Sequence, residues 1–311
     1  MFDFSKNRLR RAALAALTLT VASCKARVPE LDMSTARALL NETTHAGFSG
    51  LAFDDQCRLW GVPERETALI RFEVDGEKLS VAERIPIDGH PSGYDLESLA
   101  FADGRFYAGT EHLRPDRQSD PLLVIERSGD RATVISRIDF DYGAWGILAS
   151  RNHGVEGLCV GGDYIVGAAE LGLGTSKRKA PVAVYSRTSG ELVKAFKVAL
   201  TSETGKFSAL DCNVKGQVID LLAVERHYGV ARLVRATLDL SRDETEIRSR
   251  VQSDLSTKVD PLPNFEGVAL GPNGSTYLVT DNQSSTASGP TILFYGKSDE
   301  GLFATRRKEK R

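Results

Sequence analysis

Three pairs of carboxylates recur along this 311-residue chain at nearly constant spacing: Glu97 with Glu111, Glu156 with Glu170, and Glu266 with Asp281. In each pair two short apolar runs flank a turn, and the acids stand at the two ends of the run. Carboxylates gathered in this way can do two kinds of chemistry. They can take up protons with raised pKa values, or they can offer hard oxygen ligands to a cation such as Ca²⁺, which accepts about six to eight oxygens. Two weaker copies keep only the second acid, Glu64 and Glu225.

The elements that must position these acids are β-hairpins. Asp103-Gly104 between YDLESLAFA and RFYAGTE, Gly161-Gly162-Asp163 after HGVEGLCV, and Asn273-Gly274 after NFEGVAL are strong short-range turn signals between alternating apolar runs. Reflection about the first turn places Glu97 opposite Glu111 at the open end. Counting the two weaker copies, five hairpins carry Gly50, Ser98, Gly157, Ala209 and Gly267 at the matching position, 48, 59, 52 and 58 residues apart. Third and fourth strand-like runs follow the hairpins. Repeats of this length with four short strands each predict an all-β fold, a β-propeller. Five blades are visible as repeats, and the termini leave room for a sixth.

If the blades close into a ring, the first strand of each lines a central channel. Glu97, Glu156 and Glu266 then converge at one mouth, with Glu64, Glu111, Glu170, Glu225 and Asp281 close behind. Like charges opposed in a strand pair are destabilising, by roughly 3 kcal/mol at ~5 Å and an effective dielectric near 20. Proton uptake, basic side chains or a bound cation would offset that. The metal reading takes Glu97, Glu111, Glu156, Glu170, Glu225, Glu266 and Asp281 as ligands of Ca²⁺; the structural reading has Arg226, Arg151 and backbone amides satisfy them. For catalysis the candidates are His153, His112 and Arg226, a histidine at the mouth serving as general acid to a leaving alkoxide. Arg114, Lys177 and Arg178, in loops that begin directly after the second acids, would attract a phosphate.

The rest of the chain frames this unit. Residues 1–23 have a basic start and an apolar run about half the ~20 residues that span a bilayer, which predicts an export signal. VASC places Cys24 as a lipidation site, anchoring the protein to a membrane by acyl chains and facing the periplasm or cell surface. Residues 24–47 read as a tether, 48–300 as the propeller and 301–311 as a basic tail. Without the signal, 36 basic and 41 acidic residues remain, which argues against nucleic acid as a partner. A monomer acting on a small phosphorylated or ester substrate is expected. Cys159 and Cys212 fall at similar places on consecutive repeats and could lie close together, but small apolar core residues are the simpler expectation.

YDLESLAF, HGVEGLCV, FSALDC with LLAVER, and NFEGVAL with YLVTDNQ resemble the bacterial phytase-like family named for "esterase-like activity of phytase", whose members are exported β-propellers. The resemblance covers residues 48–296. It implies a calcium-dependent phosphoester or ester hydrolase with acids around the channel mouth. Ser208-Ala209-Leu210 departs from it where an aspartate after the serine is usual. No GxSxG elbow, P-loop or dinucleotide fingerprint is present. Two readings remain: a metal-dependent ester hydrolase, or a non-catalytic propeller that presents its loops to a ligand or protein partner.

Overall fold

The computed structural model describes residues 37–40, 47–112, 114–115, 117–148, 154–171, 173, 178–227, 229–257, 262–271, 274–281, 283–284, 287–288 and 290–297. Every element among them is a strand. The first, β1 (Arg37–Leu40), comes last in the ring. Blade 1 holds β2 (Phe48–Phe53), β3 (Leu59–Pro63), β4 (Ala68–Asp75) and β5 (Lys78–Asp88). Blade 2 holds β6 (Tyr94–Ala102), β7 (Arg105–His112), β8 (Ser119–Ser128) and β9 (Arg131–Asp141). Blade 3 follows with β10 (Gly157–Gly161), β11 (Tyr164–Ala168), β12 (Lys179–Ser186) and β13 (Leu192–Ala199). Blade 4 contains β14 (Lys206–Lys215), β15 (Val218–His227) and β16 (Val230–Asp239); β17 (Glu246–Ile247) reaches across to β13 before β18 (Ser249–Asp254) completes the sheet. Blade 5 is built from β19 (Phe265–Leu270), β20 (Ser275–Thr280) and β23 (Ile292–Lys297), with the small hairpin β21 (Gln283–Ser284) and β22 (Ala287–Ser288) between the last two.

The fourth strand of blade 5 is β1, paired antiparallel with β23 through Arg37–Phe294 and Leu39–Ile292. Its far side meets β5 of blade 1 in parallel. The N-terminal segment therefore closes the ring, and four residues expected to be tether are part of the propeller. No sixth blade is formed from the described termini; they complete the fifth.

Closure is visible in the core. The innermost strands β2, β6, β10, β14 and β19 each pack on the next, and β19 packs on β2. Five apolar clusters hold the ring, one at each seam: Trp60 and Leu69 meet Leu99 and Phe106 between blades 1 and 2, while Val224 and Leu233 meet Phe265 and Phe294 between blades 4 and 5. No blade could bury both faces alone, which is why the apolar runs of middle strands such as residues 122–125 are buried throughout. The repeated small residue has a steric cause. A Cβ on Gly50 would stand 2.4 Å from the Leu99 amide nitrogen, so only glycine lets β2 approach β6 this closely. Serine performs a related task elsewhere: Ser98 Oγ donates to the Val155 carbonyl of blade 3 at 2.7 Å.

Cys159 and Cys212, expected to be core residues, form a disulfide from β10 to β14, with Cα atoms 5.8 Å apart. It staples blade 3 to blade 4 across 53 residues of chain. Loop-closure entropy for a loop of that length corresponds to about 4 kcal/mol. Replacing both cysteines with serine should lower unfolding stability by about 2–4 kcal/mol, measured by denaturant titration of the double variant beside the oxidised parent.

Candidate metal centre at the channel mouth

The channel-mouth end of four innermost strands, β2, β6, β14 and β19, contains a β-bulge. In blade 2 Asp95 pairs with Glu111 and Leu96 with Thr110, after which the register skips Glu97 and resumes at Ser98 with Gly109. An inserted residue has no partner on the neighbouring strand and its side chain is re-aimed; here it turns to the channel. The same skip occurs at Ser49, Ser208 and Glu266, and Glu156 stands immediately before β10. Blades 2, 3 and 5 thus present a carboxylate from this position, and blades 1 and 4 a serine.

This corrects the expected pairing. Asp103 and Gly104 both have positive φ, 49° and 77°, as a two-residue hairpin turn requires. The mirror therefore lies between them, which by itself would set Glu111 opposite Leu96; the bulge at Glu97 moves the register one residue further, and Glu111 pairs with Asp95 rather than Glu97. Glu97 reaches Glu111 through the bulge instead.

A pocket of about 210 Å³ opens at this mouth. Seven of its ten lining residues are acidic: Glu64, Glu97, Glu111, Glu156, Glu170, Glu266 and Asp281; Ser49, Arg65 and Arg226 complete it. Glu97, Glu111 and Glu156 are each only 5–6 % exposed, and one oxygen from each lies within 4.8 Å of the others. Glu64, Asp95 and Glu97 form a second such group, so Glu97 belongs to both. Burial, then repulsion from Glu111, pushes Glu97 well above the usual carboxylate range. Glu156 is raised in the same way by burial and by Glu97. Glu266 is pushed up to about 7 by burial, against the pull of Arg226.

Three arginines and a lysine oppose these charges, Arg65 at 3.7 Å from Glu64 and Lys206 at 3.9 Å from Glu170 among them. Arg226, from β15, donates to both oxygens of Glu266 and lies 3.3 Å from Glu170. Arg117 approaches Glu111 at 3.6 Å. Asn264 adds a neutral donor, its Nδ2 giving a hydrogen bond to Glu266 at 2.8 Å.

Six of the seven expected ligands line the pocket, and Glu225 does not. Fully buried, it accepts hydrogen bonds from the Thr201 and Ser202 amides and hydroxyls at 2.6–3.1 Å, so its charge is spent on holding that turn. His112 also stands apart. It follows Glu111 on β7, so strand alternation sends its ring to the other face, edge-on to Tyr94 at 4.7 Å, with Nδ1 accepting the Arg114 amide. Of the expected phosphate-attracting residues, Arg114 does not line the pocket, and Arg178 stands half-exposed 3.9 Å from Glu203. His153, Lys177 and Cys24 lie outside the described residues. Asp95 was not singled out from the sequence, although it sits two residues from Glu97 on one strand, the spacing that shares a face.

The sequence matches the model of the phytase-like family, described as esterase-like activity of phytase, over residues 43–284. The chain belongs to the phytase-like family. No curated protein sequence matches this phytase-like chain. Among solved structures its propeller is similar to a GH43 β-1,3-galactosidase with galactodeoxynojirimycin, at a TM-score of 0.50 and 10 % identity over 84 % of this chain and 94 % of that one. A GH43 endo-arabinanase from Bacillus licheniformis gives 0.48 and 9 % over 82 % and 94 %. Lignostilbene dioxygenase from Pseudomonas brassicacearum gives 0.46 and 14 % over 77 % of this chain. The phytase-like chain spans about half of that dioxygenase, 54 % of its length. These likenesses concern the propeller fold.

Proposed function

We propose that this phytase-like propeller is a divalent-cation-dependent hydrolase of phosphate esters or related esters, working at the acidic channel mouth, with Ca²⁺ as the cation. The observation that carries the reading is the placement of Glu97 in two groups of three carboxylates whose oxygens lie within 4.8 Å of one another. The donor set fits: hard oxygens only, and several of them, as Ca²⁺ prefers. Glu97, Glu111 and Glu156 would hold one ion, and Glu64, Asp95 and Glu97 would hold another. A cation there supplies Lewis-acid polarisation of the ester oxygen. Arg226 stands in the same pocket with a guanidinium suited to a substrate's anionic oxygens, and burial of the acids limits water at the site. His153, three residues before Glu156 in the sequence, remains the candidate proton donor.

The signal segment and Cys24 support a lipid-anchored protein facing the periplasm or cell surface. A non-catalytic propeller, the alternative, draws support from the pairing of Arg226 with Glu266 and Glu170. Seven pocket carboxylates against Arg65, Arg117, Arg226 and Lys206 leave that neutralisation incomplete. The test is turnover of a chromogenic phosphomonoester by the purified protein: hydrolysis with Ca²⁺ that a chelator abolishes is expected, and absence of hydrolysis with or without Ca²⁺ would count against the enzyme reading.

A further inference from the structure

Arg226 and Arg117 flank the same acids but are held differently. Arg226 is bonded to carboxylates of the pocket itself. Arg117 is anchored from behind. Its Nε donates to both oxygens of Asp120 at 2.7 Å and its Nη1 to the Arg114 carbonyl at 2.9 Å. Its guanidinium also lies 5.7 Å from the centre of the Tyr142 ring. Asp120 has no exposed surface, and it accepts further hydrogen bonds from the Tyr142 hydroxyl and, at 3.3 Å, the His112 amide. Tyr142 is itself buried, its amide bonded to the Gln118 carbonyl at 3.0 Å. Such an assembly fixes a positive charge rather than letting it follow the ligand. The Arg117 side chain is only 7 % exposed, so water screens it little, and its Nη2 faces Glu111 at 3.6 Å.

We propose that Asp120 and Tyr142 are positioning residues that lock Arg117 beside Glu111, and that this fixed charge sets how tightly the channel mouth takes a divalent cation. The inference rests on the metal reading given above. A guanidinium next to a ligand carboxylate repels an incoming cation, so it lowers affinity and guards the mouth against indiscriminate capture of ions. Asp120 offsets part of that charge; without it, Arg117 turns its whole charge on Glu111 and the cation.

Calorimetric titration of the full chain with Ca²⁺ separates these roles through opposite signs. Arg117→Gln should tighten binding by about tenfold and Arg117→Lys should restore roughly the parent affinity. Asp120→Asn should weaken binding by about tenfold. Tyr142→Phe, which keeps the ring beneath Arg117 and the charge of Asp120 but loosens the lock, should tighten it by a smaller factor and serves if Asp120→Asn does not fold. General disorder loosens a site but does not tighten it, so a gain in affinity for Arg117→Gln is a readout that a purely structural role would not produce. Weaker or unchanged binding in Arg117→Gln overturns this inference while leaving the metal reading intact. A parent protein that takes no Ca²⁺ overturns both.

Discussion

Glu97→Gln should abolish measurable Ca²⁺ binding and ester hydrolysis together while making the cation-free protein more stable. The two effects share one cause. Glu97 is the carboxylate common to both groups of three, so its loss removes an anionic ligand from each. Losing even a group that merely orients a ligand costs about 10–100-fold in affinity, and loss of a shared ligand should cost at least about 100-fold. Without the cation the same charge is a burden, buried and facing Glu111, Glu64 and Glu266. Removing one such repulsion is worth about 3 kcal/mol, which corresponds to a rise of about 5–10 °C in melting temperature at pH 8. The pair of measurements is calorimetric titration and a thermal melt in chelator. A variant that loses activity and also melts lower would point to a structural role for Glu97 and against this account.

The second large effect is on pH dependence. A carboxyl whose pKa is higher in the folded state than in the unfolded chain takes up protons on folding between those two values. Its folded form is therefore penalised as pH rises through that window, and the penalty is complete above the folded pKa. For Glu266 the window runs from 4.5 to about 7, and Glu97 and Glu156 are shifted in the same direction. Asp211 adds to it from the other half of the channel: burial, only partly offset by hydrogen bonds from the Leu270 and Cys212 amides, pushes it from 3.8 to about 6. Between pH 5 and pH 8 the cation-free protein should lose on the order of 4 kcal/mol of stability, seen as a fall of roughly 10 °C in melting temperature. Saturating Ca²⁺ should remove most of that fall, because a ligand that binds only the folded form stabilises it and the carboxylates no longer need protons. A melting temperature that rises from pH 5 to pH 8 in chelator would contradict the charge balance described here.

The parts of this molecule legible in the sequence are those set by local chemistry. Asp103-Gly104 announces its hairpin because the turn needs φ > 0 at both positions; Gly50 is needed because the neighbouring innermost strand leaves no room for a Cβ, and Gly267 because the Val279 side chain of its own blade leaves none. The convergence of Glu97, Glu156 and Glu266 follows from repetition plus closure. What escaped were facts settled between distant segments. Glu225 looks like its counterparts, but the turn at Thr201 and Ser202, contributed from before its own blade, captures it. The bulge at Glu97 leaves no local mark and shifts the pairing by one residue. The closing strand β1 is four residues long, too short for alternation to reveal. Arg117 reads as an exposed loop cation until Asp120 and Tyr142 are brought to it.

The most direct test of the central claim is anomalous diffraction from crystals of the protein soaked in Ca²⁺. The account predicts an ion peak at the channel mouth within about 2.3–2.6 Å of oxygens from Glu97, Glu111 and Glu156. A mouth without such a peak, in which basic side chains alone balance the carboxylates, would contradict it.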